Sequence, residues 1–429
     1  MKLLFVADNT SDDNWGCRGT SFALRQLLSR NHEIVGSITR DLLKSPLTAS
    51  KLLPGSAYQA LVHKLRRPGL ARVPAAGAAM IGLIDALGTF HAPTLDIEAD
   101  GETLLTNRDK SPKARQIVEG LEACDAIVVN AEGETIFSTP PRATLLQTLA
   151  ICAAARRMGK PIYYINGMIS HPPDGNTHLP TAKQAEQVLR EAKLAVRDEH
   201  SIEVAAQLMP SLKPTYFADA LFTWIDHFQS FATSRYDASR VAPFFDRTGT
   251  RAPAMLEQPF IAISGSSQAA KSQDRAADCY TRLIEGLREL GLPMILVAAC
   301  NGDRFLATVA RRTNLPFLPA ETPLLAGAAI LANARLFVSG RWHPSIMGSL
   351  GGTPAVFMGS NSHKTLSLQH LLGYENPVEY RAFPEEDDVA GIVAKSRALL
   401  AEGVDRRERV VAATAELAAS ARRLEDFVR

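Results

Sequence analysis

Short apolar runs, each long enough for one buried strand, recur along this chain and alternate with stretches of helical period. In the first half they are KLLFVA, DAIVVN, PIYYING, KLAVRD and PTYFAD; in the second, PFIAIS, PMILVAA, RLFVSG and PAVFM. Between them lie segments such as TSFALRQLLSR and DRAADCYTRLIEGLREL, with apolar residues three and four apart. A strand that is apolar on both faces needs cover on both faces, and a helix after each strand supplies it. The pattern therefore predicts an α/β protein with parallel sheets. Several runs open just after a proline (Pro161, Pro214, Pro293, Pro354), where a missing N–H donor is tolerated.

At 429 residues the chain exceeds one ordinary core. The polar, aperiodic stretch 234–258 places a boundary near 245–257. Two Rossmann-like domains follow, 1–245 and 257–400, expected to face each other across a cleft. Residues 401–429 read as a charged, alanine-rich amphipathic helix that crosses back onto the first domain. Residues 41–115 interrupt the alternation with a basic group and an apolar run, YQALVHKLRRPGLARVPAAGAAM. One reading is a helical lid, or a surface resting on a membrane or a lipid-linked substrate. The other is an insertion packed on its own domain.

Net charge of +2 gives no field suited to nucleic acid. The five cysteines form no CxxC pair and there is no His-rich cluster, which points to a reducing compartment and no metal site. The opening apolar run stops at Asp8 and reads as a strand, not a signal peptide. The segment 73–88 is shorter than the roughly 20 residues of a membrane span, and Asp85 interrupts it. A cytoplasmic protein is expected, with peripheral contact at the inner face of a membrane left open.

In open parallel sheets ligands sit beyond the carboxyl ends of strands, so the residues after each run are the candidates. They are Asn14 with Gly16 and Gly19, Glu132, Asn166, Arg197 with Asp198, Ser264 to Ser267, and Arg341 with His343. No dinucleotide fingerprint or P-loop is present. The Ser264–Ser267 turn either offers amides to a phosphate or is a plain turn. Arg341 and His343 are the sharpest pair. Pro344 suits the first position of a helix, which would set both side chains at its amino end. That end favours an anion, the guanidinium adds a planar fork, and the imidazole can move a proton near neutral pH. The alternative is an interdomain salt bridge and a capping histidine.

At this point the chain resembles the polysaccharide pyruvyl transferase family over nearly its whole length. The matching pieces are NWGCRGTSFALRQLL, DAIVVNAEGETIF, KPIYYINGMI, AVRDEHSIEVAAQL, FADALF and above all ANARLFVSGRWHPSIMGSLGGTPAVFMGSNSHKT. Residues 41–115 match least, and AEGE stands where many relatives are richer in glycine.

The resemblance implies a GT-B-like fold, with the active site between the domains. It also implies phosphoenolpyruvate as co-substrate, a sugar or lipid-linked oligosaccharide as acceptor, and a pyruvate ketal as product, with no cofactor required. Arg341 and His343 match the R-x-H block tied to donor binding and catalysis. Arg197 matches the family's RD position, and Lys364 the downstream basic residue. With Ser264 and Ser266 these form the expected donor set. Asn14, Glu132, Asn166 and Asp198 form the acceptor or cleft set, with Glu132 or Asp198 as proton acceptor. Two rivals remain at this level, a nucleotide-sugar glycosyltransferase of the same fold and a carbohydrate-binding relative without activity.

Overall fold

The computed structural model describes residues 1–44, 47–50, 79, 88–232, 238–246 and 254–429. The apolar runs fold as predicted into two six-stranded sheets. The first contains β1 (Lys2–Asp8), β2 (Glu33–Thr39), β5 (Ala126–Asn130), β6 (Ile162–Gly167), β7 (Lys193–Val196) and β8 (Thr215–Tyr216), in the order β2-β1-β5-β6-β7-β8. The second contains β9 (Ile261–Ser266), β10 (Met294–Val297), β11 (Phe317–Leu318), β12 (Leu336–Gly340), β13 (Ala355–Met358) and β14 (Glu379–Tyr380), in the order β11-β10-β9-β12-β13-β14. Every registered pair in both sheets is parallel, and the central strands β5, β9 and β12 are buried along their whole length. These are two Rossmann-like sheets, each flanked by helices.

Helices form where the spacing predicts. In Gln273–Leu287 the buried positions are Ala276, Ala277, Tyr280, Leu283, Ile284 and Leu287, with Cys279 among them. That is a single stripe of period 3.6. Helix Trp15–Leu28 starts where Asn14 Oδ1 accepts the amides of Gly16 (2.9 Å) and Cys17 (3.3 Å). Asn14, expected to serve the cleft, spends its side-chain carbonyl on this cap.

The compact units are not divided by one cut. The first comprises 1–8, 28–195 and 202–215; the second comprises 9–27, 196–201 and 216–429. Residues 216–232 fall with the second because they pack on the C-terminal helix, as where Ala218 N–H donates to Ser420 Oγ at 3.2 Å. That helix runs Glu386–Arg422, beginning fifteen residues before the expected 401. It opens with a reciprocal Glu385/Asp388 cap and bends at Gly403, whose φ of 58° leaves the helical region. Its face of Val410, Thr414, Leu417, Ala418 and Ala421 is buried.

Of the irregular segment 41–115, the described part holds an antiparallel pair, β3 (Leu47–Ser50) with β4 (Gly88–Ala92). It also holds the helices Ile97–Thr106 and, at its end, Pro112–Ala123. The first of these lies hard against Ala143–Arg157, since a Cβ on Gly101 would come within 2.7 Å of Ala153 Cβ. The basic-apolar stretch within 55–88, for which a membrane-facing surface is one of two readings, lies outside the described residues except for 79 and 88. So do 247–253 of the expected linker. No helix among the described residues is long and apolar enough to cross a membrane.

Candidate functional site

In the second unit the chain leaves β12 through an extended Arg341 and enters the helix Trp342–Ser349. Pro344 is therefore the third helical residue, not the first, a position whose N–H has no intrahelical partner in any case. Trp342 and His343 sit in the first turn, both buried.

Their side chains converge on Asp219, which is fully buried. Its Oδ2 accepts Arg197 Nη1 at 3.0 Å and Trp342 Nε1 at 3.0 Å, and lies 3.2 Å from His343 Nε2. Its Oδ1 accepts the Leu221 amide at 3.0 Å and Thr20 Oγ1 at 3.4 Å. Burial alone would raise the pKa of this carboxyl, but His343 and Arg197 beside it and the Leu221 amide pull it well below the usual range. The Arg197 guanidinium also stacks on Trp342, 4.7 Å from the ring centroid. The carboxylate is thus ionised, and both it and the arginine are shut away from solvent.

Arg341 is held by a second buried carboxylate. Its Nη2 donates to Asp303 Oδ1 at 2.5 Å, and Asp303 Oδ2 accepts the Ala299 amide at 3.1 Å. This pair lies within the second unit, so the interdomain salt bridge considered for Arg341 is not what occupies it. Burial works to lower the Arg341 pKa, and the Asp303 charge more than compensates. Burial pushes the nearby Cys300 thiol up to about 11, which leaves it protonated at neutral pH and unsuited as a nucleophile.

Three turns at the carboxyl ends of the adjacent strands β9, β12 and β13 meet here. A Cβ on Gly340 would fall 2.3 Å from Ser266 Cβ. Ser267 Oγ lies 3.2 Å from Ser360 Oγ and accepts Lys364 Nζ at 3.1 Å; the same ammonium donates to Asn361 Oδ1 at 2.7 Å. Ser266 instead ties its own turn, its Oγ accepting the amides of Gln268 (3.2 Å) and Ala269 (3.1 Å). Ser264, expected on the donor side, is mid-strand, fully buried and without a partner for its hydroxyl. It belongs to the core.

Asp198 caps the helix Glu199–Leu208. It accepts the Ser201 amide at 2.9 Å and the Ser201 hydroxyl, and holds His363 Nε2 at 3.0 Å. Burial raises its pKa, but His363, Ser201 and Arg197 outweigh it, and the group stays ionised.

Glu132 and Asn166 lie in the first unit, at the ends of β5 and β6. Glu132 (φ 38°) and Asn166 (φ 55°) share left-handed backbone with Ala7 (φ 60°) near the end of neighbouring β1. Three non-glycine residues so placed on adjacent strand ends store strain of the sort found at functional rims. Glu132 accepts Asn130 Nδ2 at 3.0 Å. Beside them Glu134 pairs with Arg40 and accepts Thr144 Oγ1 at 2.7 Å, with Arg142 Nη1 at 3.7 Å.

Sequence reasoning missed Asp219 and Asp303 as members of the site. The only signal for Asp219 was an acidic residue inside the apolar FADALF.

The fold defines the class first. A Neisseria meningitidis UDP-GlcNAc 2-epimerase bound to UDP-GlcNAc aligns over 97% of this chain and 98% of its own, at 10% identity and a TM-score of 0.50. An E. coli structure described as trehalose-6-phosphate bound with UDP-2-fluoro glucose aligns over 100% and 99%, at 10% identity and a TM-score of 0.55. At such identity the likeness concerns the fold, which is GT-B-like with two Rossmann-like domains. Among curated proteins none matches. The family model described as polysaccharide pyruvyl transferase matches residues 21–362, and the chain belongs to that family.

Proposed function

We propose that the protein transfers the enolpyruvyl unit of phosphoenolpyruvate to two hydroxyls of one sugar, releasing phosphate and forming a pyruvate ketal on a polysaccharide or its lipid-linked precursor. The observation that carries this reading is the R-x-H turn of a family member, seated at a helix amino end with two buried carboxylates holding its cations in place.

Phosphoenolpyruvate brings three negative charges. Arg341, Arg197 and Lys364 offer guanidinium and ammonium donors, the two arginines already balanced by Asp303 and Asp219, and the amides of the first turn of Trp342–Ser349 add to them. His343 delivers the proton that turns the enol carbon into an electrophile. The attacking hydroxyl must then lose its proton, and the His343 ring left neutral by the first transfer can take it back; Asp198, committed to Ser201 and His363, suits that role less.

Phosphate release from phosphoenolpyruvate, measured over a panel of mono- and disaccharides, tests the reading. His343→Ala is expected to slow turnover about 10²–10⁴-fold. Arg341→Ala is expected chiefly to raise the donor KM. No release with any acceptor, or a His343→Ala protein as active as its parent, would overturn it.

A further inference from the structure

An imidazole offers two nitrogens, and the second unit treats those of His343 differently. Nε2 lies 3.2 Å from Asp219 Oδ2 and 3.1 Å from Arg197 Nη1. Nδ1 makes no hydrogen bond among the described residues. Unlike the Nε atoms of Arg197 and Arg341, it is not among the buried side-chain atoms sealed from solvent. The ring is pinned from its Nδ1 side by the backbone of Gly16, where an added Cβ would stand 2.4 Å from Nδ1 and 2.6 Å from the His343 Cβ.

A general acid must be the imidazolium, which carries a proton on each nitrogen. Among the described residues, the titratable and charged groups within hydrogen-bond reach of the ring are Asp219 and Arg197. Arg197 cannot accept a proton, so the Nε2 proton goes to the carboxylate as a charge-assisted bond. Only the Nδ1 proton is then free to leave. Once it has gone, the neutral ring left behind is the Nε2–H tautomer, in which Asp219 Oδ2 accepts from Nε2 and Arg197 Nη1 donates to that same oxygen rather than to the ring, so no reorganisation follows the transfer.

Resting on the phosphoenolpyruvate reading above, we propose that His343 acts through Nδ1, and that Asp219 and Gly16 are positioning residues that fix which nitrogen faces the substrate. In the step itself the Nδ1–H bond breaks, with its electron pair kept on Nδ1, and a C–H bond forms at the methylene carbon. C2 becomes the oxocarbenium centre. The first sugar hydroxyl bonds to C2 and its proton restores Nδ1. Phosphate leaves with the C–O electron pair and the proton of the second hydroxyl, which closes the ketal.

The test reads the ring directly and needs no substrate. In protein labelled with ¹⁵N-histidine, the His343 signals are assigned by their loss in His343→Gln. In the neutral wild-type ring, Nε2 is expected to carry the proton and Nδ1 to show the shift of a bare nitrogen. A neutral wild-type ring protonated at Nδ1 overturns the proposal, whatever the enzyme's donor proves to be.

Asp219→Asn and Gly16→Ala are the companion variants, each first checked for a native melting transition. Asp219→Asn is expected to move the neutral ring towards the Nδ1–H form. Both are expected to lower the turnover number about 100-fold, as a misplaced reacting atom does, with little change in donor KM. Native folding with an unmoved tautomer and undiminished turnover overturns the positioning roles. If Asp219→Asn does not fold, Gly16→Ala and the wild-type spectrum decide. Absence of phosphate release in the parent, with the predicted tautomer present, would instead refute the choice of donor.

Discussion

Replacing Arg407 by methionine should destabilise the second unit by about 2 kcal/mol. The side chain is buried in the C-terminal helix and has no carboxylate partner among its bonds. Nε and Nη2 donate to the Phe231 carbonyl at 3.2 and 2.9 Å, Nη2 to Ala332 O at 2.7 Å, and Nη1 to Ala334 O at 3.0 Å. Ala332 and Ala334 close the helix Leu324–Asn333, so the guanidinium sits at the negative end of that helix dipole. Burial pulls its pKa down to about 10, so it is still charged at neutral pH and the carbonyls must offset the lost hydration.

The three acceptors would suffer unequally. Thr353 Oγ1 has one proton, shared among Leu331 O (2.8 Å), Ala334 O (2.9 Å) and Ala332 O (3.1 Å), so the two helix-end carbonyls keep a shared donor. Phe231 O loses both guanidinium bonds, worth about 1–3 kcal/mol when left unmade. Relief of the desolvated charge offsets part of the loss. Arg407→Ala adds a cavity and should cost about 4 kcal/mol. The readout is selective: all three tryptophans of the chain, Trp15, Trp224 and Trp342, lie in the second unit, so their fluorescence during urea unfolding follows that unit. Thr353→Val together with Arg407→Met strips both helix-end carbonyls, and the pair should exceed the sum of the singles by about 1 kcal/mol or more. A single-variant loss under about 0.5 kcal/mol, or strict additivity, would refute this account of the end of that helix.

The same fluorescence should report a valine at Gly327, where a Cβ would meet the Trp15 ring at 2.3 Å; displacement of the buried indole is expected to cost about 1–3 kcal/mol and shift its emission. Acid should unfold this unit in a manner set by Asp219 and Asp198. Their folded pKa values lie below the unfolded ones, so their contribution is complete above about pH 4–5 and is lost as pH falls through the folded values. Asp219→Asn should therefore lower stability at pH 7 and flatten its decline between about pH 4 and 2; an unchanged slope would count against it. Lys364→Met should raise the donor KM with little effect on turnover, and phosphoenolpyruvate should raise the melting temperature of the parent protein where nucleotide-sugars do not. Stabilisation by a nucleotide-sugar alone would contradict the donor assignment.

The strands legible in the sequence were those whose surroundings leave no choice. β1, β5, β6, β7, β9, β10, β12 and β13 are apolar because neighbours cover both faces, and the two-residue edge β8 was read with them from PTYFAD. The ones passed over are the separate β3–β4 pair and three edges: β2 is half-exposed along most of its length, and β11 and β14 have two residues each. The Arg341–His343 pair stood out because strand, turn and helix are contiguous there. Asp219 did not, because it meets His343 from 124 positions away, and no local pattern marks a carboxylate whose partners arrive only on folding. Ser264, buried in β9, and Asn14, whose carbonyl caps a helix, show a related ambiguity. A hydroxyl or amide near a strand end serves a core or a helix cap as readily as a ligand.

Five crossings of the chain between its two compact units have a consequence for how this protein could be cut or inherited. A gene divided in the polar stretch at 245–257 would put Gly16, Arg197 and Asp219 on one polypeptide and Trp342 and His343 on the other. Neither fragment would carry a finished imidazole environment. Recovery of function would depend on reassociation of the two products, and duplication or exchange of a single half would be expected to yield a folded sheet with an unsupported histidine.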